Sequence, residues 1–259
     1  MTYSYILSNL DSGILTLTLN RPDKLNALNI ALLQEIKHAV TQAQNQPEVR
    51  GIVITGSGVK AFAAGADIAE FAHFNVEQGT HMSREGHEVF FAIEQSAKPV
   101  VAAVNGFALG GGCELTLACH VRFASENAKF GQPEVNLGVP PGYGGTQRLL
   151  QIIGKGRALE MLISANPIDA NTALQFGLVN KVLTQEELLP YAYQWLGKVC
   201  SKSPHAVKQI IECVNTFYEP SKIGFDKEIH EFGYAFGTPD FKEGTDAFLN
   251  KRKADFKPL

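Results

Sequence analysis

The feature that most constrains this chain is a run of three glycines, Gly110-Gly111-Gly112, set between a strand-like and a helix-like segment. Upstream, Pro99-Val100-Val101-Ala102-Ala103-Val104 is an apolar run with strand character that stops at Asn105-Gly106. Downstream, Cys113-Glu114-Leu115 opens a helix-compatible segment with a carboxylate near its first turn. Consecutive glycines cost backbone entropy and add no packing, so they fit a place where the main chain itself must come close to something. At a helix start, free N–H groups and the positive dipole end favour negative charge. One reading is a backbone donor aimed at a developing oxyanion with Glu114 alongside. The other is a tight strand-to-helix turn with no ligand.

At 259 residues, 45% of them hydrophobic, the chain can bury a sizeable core as one large domain or two small ones. A formal net charge of -3 gives no electrostatic reason to expect nucleic acid or an anionic membrane as partner. Cys113, Cys119, Cys200 and Cys213 show neither CxxC spacing nor clustering with histidine, and the seven histidines form no metal-like pattern. No metal is therefore expected. The first residues lack the basic and apolar regions of a signal peptide, and no stretch approaches membrane-spanning length. The expectation is a soluble cytoplasmic protein.

Ile6-Leu7-Ser8, a turn at Asn9-Leu10-Asp11-Ser12-Gly13 and the alternating Ile14-Leu15-Thr16-Leu17-Thr18-Leu19 predict a hairpin. Leu32, Leu33, Ile36, Ala39, Val40 and Ala43 recur at helical spacing from Asn29 onward, and Pro47 ends that helix. Gly51 to Gly56 reads as a short strand covered on both faces. A long helix is predicted from about Glu77 to Gln95, and a further strand at Val121 to Ala124. Beyond Thr146 strands become scarce and helical periodicity dominates. Strand, strand, helix thus recurs before a mainly helical part, an α/β core with a helical appendage. The boundary falls near residue 200, giving a core over 1–200 and a helical region over 201–259. The tail carries Ile210, Ile211, Val214, Phe217, Phe232, Phe236 and Phe248 on an apolar side, more than a lone appendage should expose.

Four segments in order carry a resemblance. They are Ala61-Phe62-Ala63-Ala64-Gly65-Ala66-Asp67, Asn105 to Glu114, Phe130-Gly131-Gln132-Pro133-Glu134 continuing through Pro141-Gly142-Tyr143-Gly144-Gly145-Thr146-Gln147-Arg148-Leu149, and the tail from Phe241 to Lys251-Arg252. Over essentially its whole length the chain resembles the crotonase (enoyl-CoA hydratase/isomerase) superfamily. The fold implied is a spiral of strand–strand–helix repeats with a C-terminal helical region that builds trimers, commonly stacked into hexamers.

The resemblance implies that the backbone N–H groups of Ala66 and Gly111 form an oxyanion hole for the thioester carbonyl of an acyl-CoA. Hydratases of this superfamily place two carboxylates facing that thioester, and Glu114 and Glu134 match both positions. Isomerases typically keep one. Two close carboxylates sharing a proton can orient and deprotonate a water and protonate Cα from one face. By resemblance Glu114 activates the water, Glu134 supplies the proton, and the Gly142 N–H helps position the water. Lys24, Leu25, Ala64, Ala66 and Ile68 would line the CoA path, with Lys251 from a neighbouring subunit reaching the 3′-phosphate. Relatives often carry a lysine just after the Asp-Ile pair, where this chain has Ala69.

The function implied is addition of water to a 2-enoyl-CoA, as in fatty acid β-oxidation, with no cofactor besides the CoA of the substrate. The alternative is a specialised hydratase or isomerase of the same superfamily acting on a branched or aromatic acyl-CoA. One relative associates with RNA through a lysine-rich helix, but the Leu32 to Ala43 helix has only Lys37 and His38 to offer. A silent subunit would not need both glutamates.

Overall fold

In the computed structural model, which describes residues 3–216 and 222–254, the opening alternation becomes a hairpin of β1 (Ile6–Asp11) and β2 (Ile14–Leu19). The turn is shorter than expected, because Asn9, Leu10 and Asp11 pair with Thr16, Leu15 and Ile14 within the hairpin. Ser12 and Gly13 alone turn it with φ of 50° and 81°, a backbone suited to a two-residue hairpin loop. Phe217 and the chain beyond Ala254 lie outside the described residues. Helix α1 (Ile30–Gln44) begins where the Asn29 side chain accepts the Leu32 N–H at 2.9 Å. The six residues at helical spacing are its buried face. The helix ends at Gln44, before Pro47 is reached.

Three similar units follow. The first is β3 (Gly51–Gly56), β4 (Ala61–Ala64) and α2 (Val76–Glu94); the second is β5 (Val100–Val104), β6 (Phe107–Leu109) and α3 (Gly111–Ala118). The third is β7 (Val121–Ser125), β8 (Lys129–Gly131) and α4 (Gly145–Ile153). Then come α5 (Lys155–Ser164), β9 (Ile168–Asp169), α6 (Ala170–Phe176), β10 (Lys181–Leu183), α7 (Gln185–Cys200), α8 (Pro204–Thr216), α9 (Lys222–Ala235) and α10 (Pro239–Leu249).

Each unit gives its first strand to one sheet and its second to another. The larger sheet runs β1-β2-β3-β5-β7-β10, parallel except for the hairpin. The smaller runs β4-β6-β8-β9, with β9 antiparallel. Alternation along the larger sheet divides the interior. Ile52, Ile54, Val100, Ala102 and Val104 enter the main core, while Val53, Val101, Ala103 and Phe123 pack with Leu188, Ala192 and Leu196 of α7. Both faces are covered, as the apolar, glycine-bounded β3 requires.

In the smaller sheet Ala64 pairs with Leu109 and Leu109 with Gly131, so three strands end level. Between β4 and β6 the register shifts by one residue, with Phe62 as the extra residue of a bulge between Ala61 and Ala63. Asn105 explains the Asn-Gly pair after β5. Its side chain accepts the Gly56 N–H at 3.0 Å and donates to the Gly56 and Gly58 carbonyls at 2.9 and 2.7 Å. That ties together the two turns feeding β4 and β6. A Cβ on Gly106 would sit 2.3 Å from the Lys60 carbonyl, so only glycine fits there.

The tail phenylalanines require a correction. Phe232 and Phe236 are not surplus surface but sit 5% and 3% exposed in the chain's own main core. Phe236 packs on Phe71, Phe74 and Phe241, and its ring fills the space beside Gly79 of α2. Phe248 does stay exposed, at 57%, with Ile210, Val214 and Tyr234. Among the described residues no helix is long and apolar enough to cross a membrane.

Candidate active site

Because β4, β6 and β8 end level, the residues just past them converge. Such carboxyl ends of parallel strands are where open sheets commonly bind ligands. Past β4 lie Gly65 and Ala66, past β6 Gly110 and Gly111, and past β8 Gln132, Pro133 and Glu134. Leu28 forms a short parallel bridge beside Ala66: the Leu28 N–H donates to the Gly65 carbonyl at 2.8 Å and the Asp67 N–H to the Leu28 carbonyl at 2.9 Å. The N–H of Ala66, the residue between, therefore faces away from that bridge. Gly111 is the first residue of α3, where an amide has no intrahelical acceptor. Among the described residues neither N–H has a hydrogen-bond partner.

The glycine run is a matter of space and backbone. Gly110 has φ 49° and ψ −126°, outside the range of ordinary L residues, and a Cβ there would lie 2.7 Å from Glu134 Oε1. A Cβ on Gly112 would meet the Ala63 carbonyl oxygen at 1.9 Å. Helix α3 thus presses directly onto β4, which brings Gly111 next to Ala66.

Glu114 lies in the first turn of α3 and is 1% exposed. Its Oε1 accepts the N–H groups of Tyr143 and Gly145, each at 2.8 Å. Burial, then the negative charges of Glu134 and Glu228, raise its proton affinity well above that of an ordinary carboxyl; the two amide bonds oppose them. Glu134 opens a single helical turn, Glu134–Leu137, and is only partly covered as a residue. Its carboxyl is nevertheless sunk against Gly110, and burial with the charge of Glu228 pushes it up to about 8. With its amide oriented as its neighbours require, buried Gln132 donates to both Glu134 oxygens at 3.2 Å.

The remaining site candidates separate into two groups. Lys24 and Leu25 lie on an exposed turn whose Leu25 carbonyl accepts the Ala64 N–H at 3.0 Å, so Leu25, Ala64, Ala66 and the half-buried Ile68 share one edge. Arg21 holds that turn, donating to the Ala27 carbonyl at 2.6 Å and pairing with Asp67 at 2.8 Å. Gly142 is buried under Phe232, and its carbonyl accepts the Ser83 hydroxyl at 2.6 Å. Lys251 lies apart on an exposed turn after α10, and among the described residues no hydrogen bond or ion pair joins it to Lys24, Leu25 or Ile68.

An apolar cavity of about 350 Å³ opens between α1 and α2, lined by Leu33, Phe74, Met82, Val89 and Tyr143 among others. Tyr143 connects it to the carboxylates: its N–H binds Glu114 while its ring lies near Gly111. A second cavity of about 340 Å³ by Arg50, Lys98 and Cys200 contains none of these groups. Sequence reading passed over Gln132, although it stands two residues before Glu134 in a quoted motif. It also passed over Glu228, whose position in α9 carries no signal beyond an ordinary helix charge.

A family model described as enoyl-CoA hydratase/isomerase matches residues 9–258. A protein named crotonyl-CoA hydratase, from Syntrophomonas wolfei, is 46% identical over 99% of both chains. One named short-chain-enoyl-CoA hydratase, from Clostridium acetobutylicum, is 42% identical over 98% of both. A crystal structure of enoyl-CoA hydratase from Bacillus anthracis shares the fold with a TM-score of 0.80 at 36% identity, covering 98% of this chain and 99% of that one. This chain belongs to the enoyl-CoA hydratase/isomerase family, within the crotonase superfamily.

Proposed function

We propose that this protein hydrates short-chain 2-enoyl-CoA thioesters to 3-hydroxyacyl-CoA. The observation that carries the reading is the pair of carboxyls, Glu114 and Glu134, both held at raised proton affinity beside two amides that have no hydrogen-bond partner among the described residues. The names of the relatives from Syntrophomonas wolfei and Clostridium acetobutylicum point to short acyl groups.

In this mechanism the Ala66 and Gly111 N–H groups donate to the thioester carbonyl oxygen and stabilise the charge that develops there. Glu114, its Oε1 occupied by two amides, uses its other oxygen to orient a water and take its proton as the oxygen–Cβ bond forms. The Gly142 N–H assists in placing that water. The π electrons move toward the thioester, and Glu134 delivers its proton to Cα. The two carboxyls exchange roles as one titrating unit, so the water is added with no net change in protonation. Hydration changes no oxidation state overall, and the reading calls for no cofactor beyond substrate CoA. The acyl group extends toward the Tyr143 cavity, and the CoA runs along Lys24, Leu25, Ala64, Ala66 and Ile68.

Exposed Ile210, Val214, Tyr234 and Phe248 support assembly through the C-terminal helices into a trimer or dimer of trimers, with Lys251 reaching a neighbour's CoA. Four unpaired cysteines support a reducing, cytoplasmic setting as part of fatty acid metabolism. The test is loss of the conjugated-thioester absorbance when chelator-treated protein meets crotonyl-CoA, with 3-hydroxybutyryl-CoA as product. Absence of hydration on every enoyl-CoA from four to about ten carbons overturns the reading, given the cavity such sites offer.

A further inference from the structure

The segment Tyr143 to Thr146 lies between two buried carboxylates and divides its amides between them. The N–H groups of Tyr143 and Gly145 go to Glu114 Oε1. The N–H of Gly144 goes to Glu228 Oε1 at 2.5 Å and that of Thr146 to Glu228 Oε2 at 3.0 Å; the Thr146 hydroxyl donates to the same Oε2. Four consecutive amides are thus fixed alternately from opposite sides. Gly144 permits this with φ 102°, a backbone other residues rarely adopt. Glu228 is 4% exposed and reaches the segment from α9, far along the chain from every motif that defines the site. The mechanism above gives it no part.

His87 of α2, 1% exposed, stands behind Glu228 with Nε2 at 3.1 Å from Oε1, an ion-pair distance without hydrogen-bond alignment. Its ring is walled by Phe91 and Phe225. Among the described residues, the other charged or titratable groups facing Glu228 are Glu114 from α3, Glu134 after β8, and Arg148 of α4, whose guanidinium lies against Gly144 and pairs with Glu94 at 2.9 Å. On α9 itself Asp226 and His230 are exposed.

We infer that Glu228, with His87 packed behind it, is a positioning residue for the reaction: it clamps Gly144 and Thr146 and thereby aims the intervening amides at Glu114. A two-point hold on alternate amides leaves the Tyr143 and Gly145 N–H groups no freedom to turn away. The negative charge of Glu228 also favours the protonated form of the Glu114–Glu134 pair. The inference rests on Glu114 being a carboxylate of the reaction.

The test compares Glu228→Gln and Glu228→Asp with the unaltered protein in its assembled form, on crotonyl-CoA across pH. In E228Q the amide nitrogen faces an N–H donor and the charge is gone. Its kcat should fall about ten- to hundredfold, the range for losing a hydrogen bond to a charged group, with KM nearly unchanged. The basic limb of its kcat–pH profile should move to lower pH. E228D keeps the charge but shortens the reach, so kcat should fall while the basic limb stays. Unchanged kcat in both variants overturns the inference. So does a fall in kcat with the basic limb of E228Q unmoved, or equal movement in E228D, because either leaves only a scaffold. Should E228Q not fold, the kcat and KM of E228D decide: lower kcat at constant KM supports the clamp, and unaltered kcat removes it. Infrared titration of the protonated-carboxyl band in substrate-free protein provides a separate readout. A protein that hydrates nothing but shows this band titrating at lower pH in a variant lacking the Glu228 charge loses the proposed function and keeps the clamp. An unmoved band overturns the clamp whatever the activity.

Discussion

Ala66 and Gly111 reach their places through strand register, whereas Glu114 and Glu134 reach theirs through side-chain packing and hydrogen bonds. The first pair offers only main chain, so its demands are that neighbouring side chains be small and that β4 and β6 end level. The second pair depends on the charge and reach of particular groups: Tyr143 and Gly145 amides on Glu114, Gln132 beside Glu134, and Glu228 near both. Backbone donors set by a sheet tolerate changes of side chain but not of position. Buried carboxyls tolerate small shifts but not a change of charge, since each neighbour's charge alters its proton affinity.

Replacing the carboxyls separates the two arms most sharply. Glu114→Gln and Glu134→Gln should each lower kcat by about two to four orders of magnitude, the usual contribution of general acid–base catalysis. KM should change little, because the donors and the CoA edge are untouched. Steady-state kinetics with crotonyl-CoA would break the comparison if either variant turned over normally.

Deleting a donor probes the other arm. Gly111 is the first residue of α3, a position where proline suits a helix. Gly111→Pro removes its N–H and should cost about two to three orders of magnitude in kcat, as loss of one oxyanion donor does elsewhere. A Cβ there approaches the Tyr143 ring at 3.3 Å, so the melting temperature should be measured alongside.

The raised carboxyls also give the two arms different pH behaviour. Glu134 is pushed up to about 8, so between its ordinary value and that pH the folded protein holds a proton that the unfolded chain has released. The stability contributed is complete below the ordinary carboxyl range and is lost as pH rises through about 8. Calorimetry should show a melting temperature that declines by a few degrees over that window, and Glu134→Gln should flatten the decline. The amides of Ala66 and Gly111 contribute nothing to this slope.

The smallest effect is expected at the CoA edge. Ala69 is exposed beside Ile68, at the position where the family resemblance implies a lysine. Ala69→Lys should lower KM for crotonyl-CoA by up to about fivefold, as an exposed ion pair worth roughly 0.2–1 kcal/mol allows, and leave kcat alone. A changed kcat would mean that the edge is coupled to the carboxyls.

The hairpin, α1, α2, β3, β5 and β7 were legible from alternation, helical spacing or a short apolar run. Strand β10, three residues at the edge of the larger sheet, was not. Strands β4, β6 and β8 were not read as strands. Two have three residues, and Ala61-Phe62-Ala63-Ala64 does not alternate because both its faces are covered. Their motifs were recognised by resemblance, but the level ends that gather those motifs are a product of pairing and have no local signature. The tail phenylalanines show a related limit. Periodicity identified an apolar side, but not that Phe232 and Phe236 would meet the chain's own Gly142 and Phe71 rather than a neighbour. Glu228 is invisible for the same reason: its partners lie 82 and 84 positions away.

The bulge at Phe62 acts as a spacer one residue thick. Counted from the Ala61–Phe107 pair, an unbulged strand would set Ala63, not Ala64, opposite Leu109, and Ala66 would stand a step further out than Gly111. One step along a strand is about 3.3 Å and also reverses the side to which groups point. Two amides offset by that much cannot meet on a single oxygen. The bulge, rather than the lettering of the segment, keeps the two amides level. A variant of the same length that paired without the bulge would set Ala66 past Gly111, whereas deleting the extra residue would take out the bulge and leave Ala64 opposite Leu109.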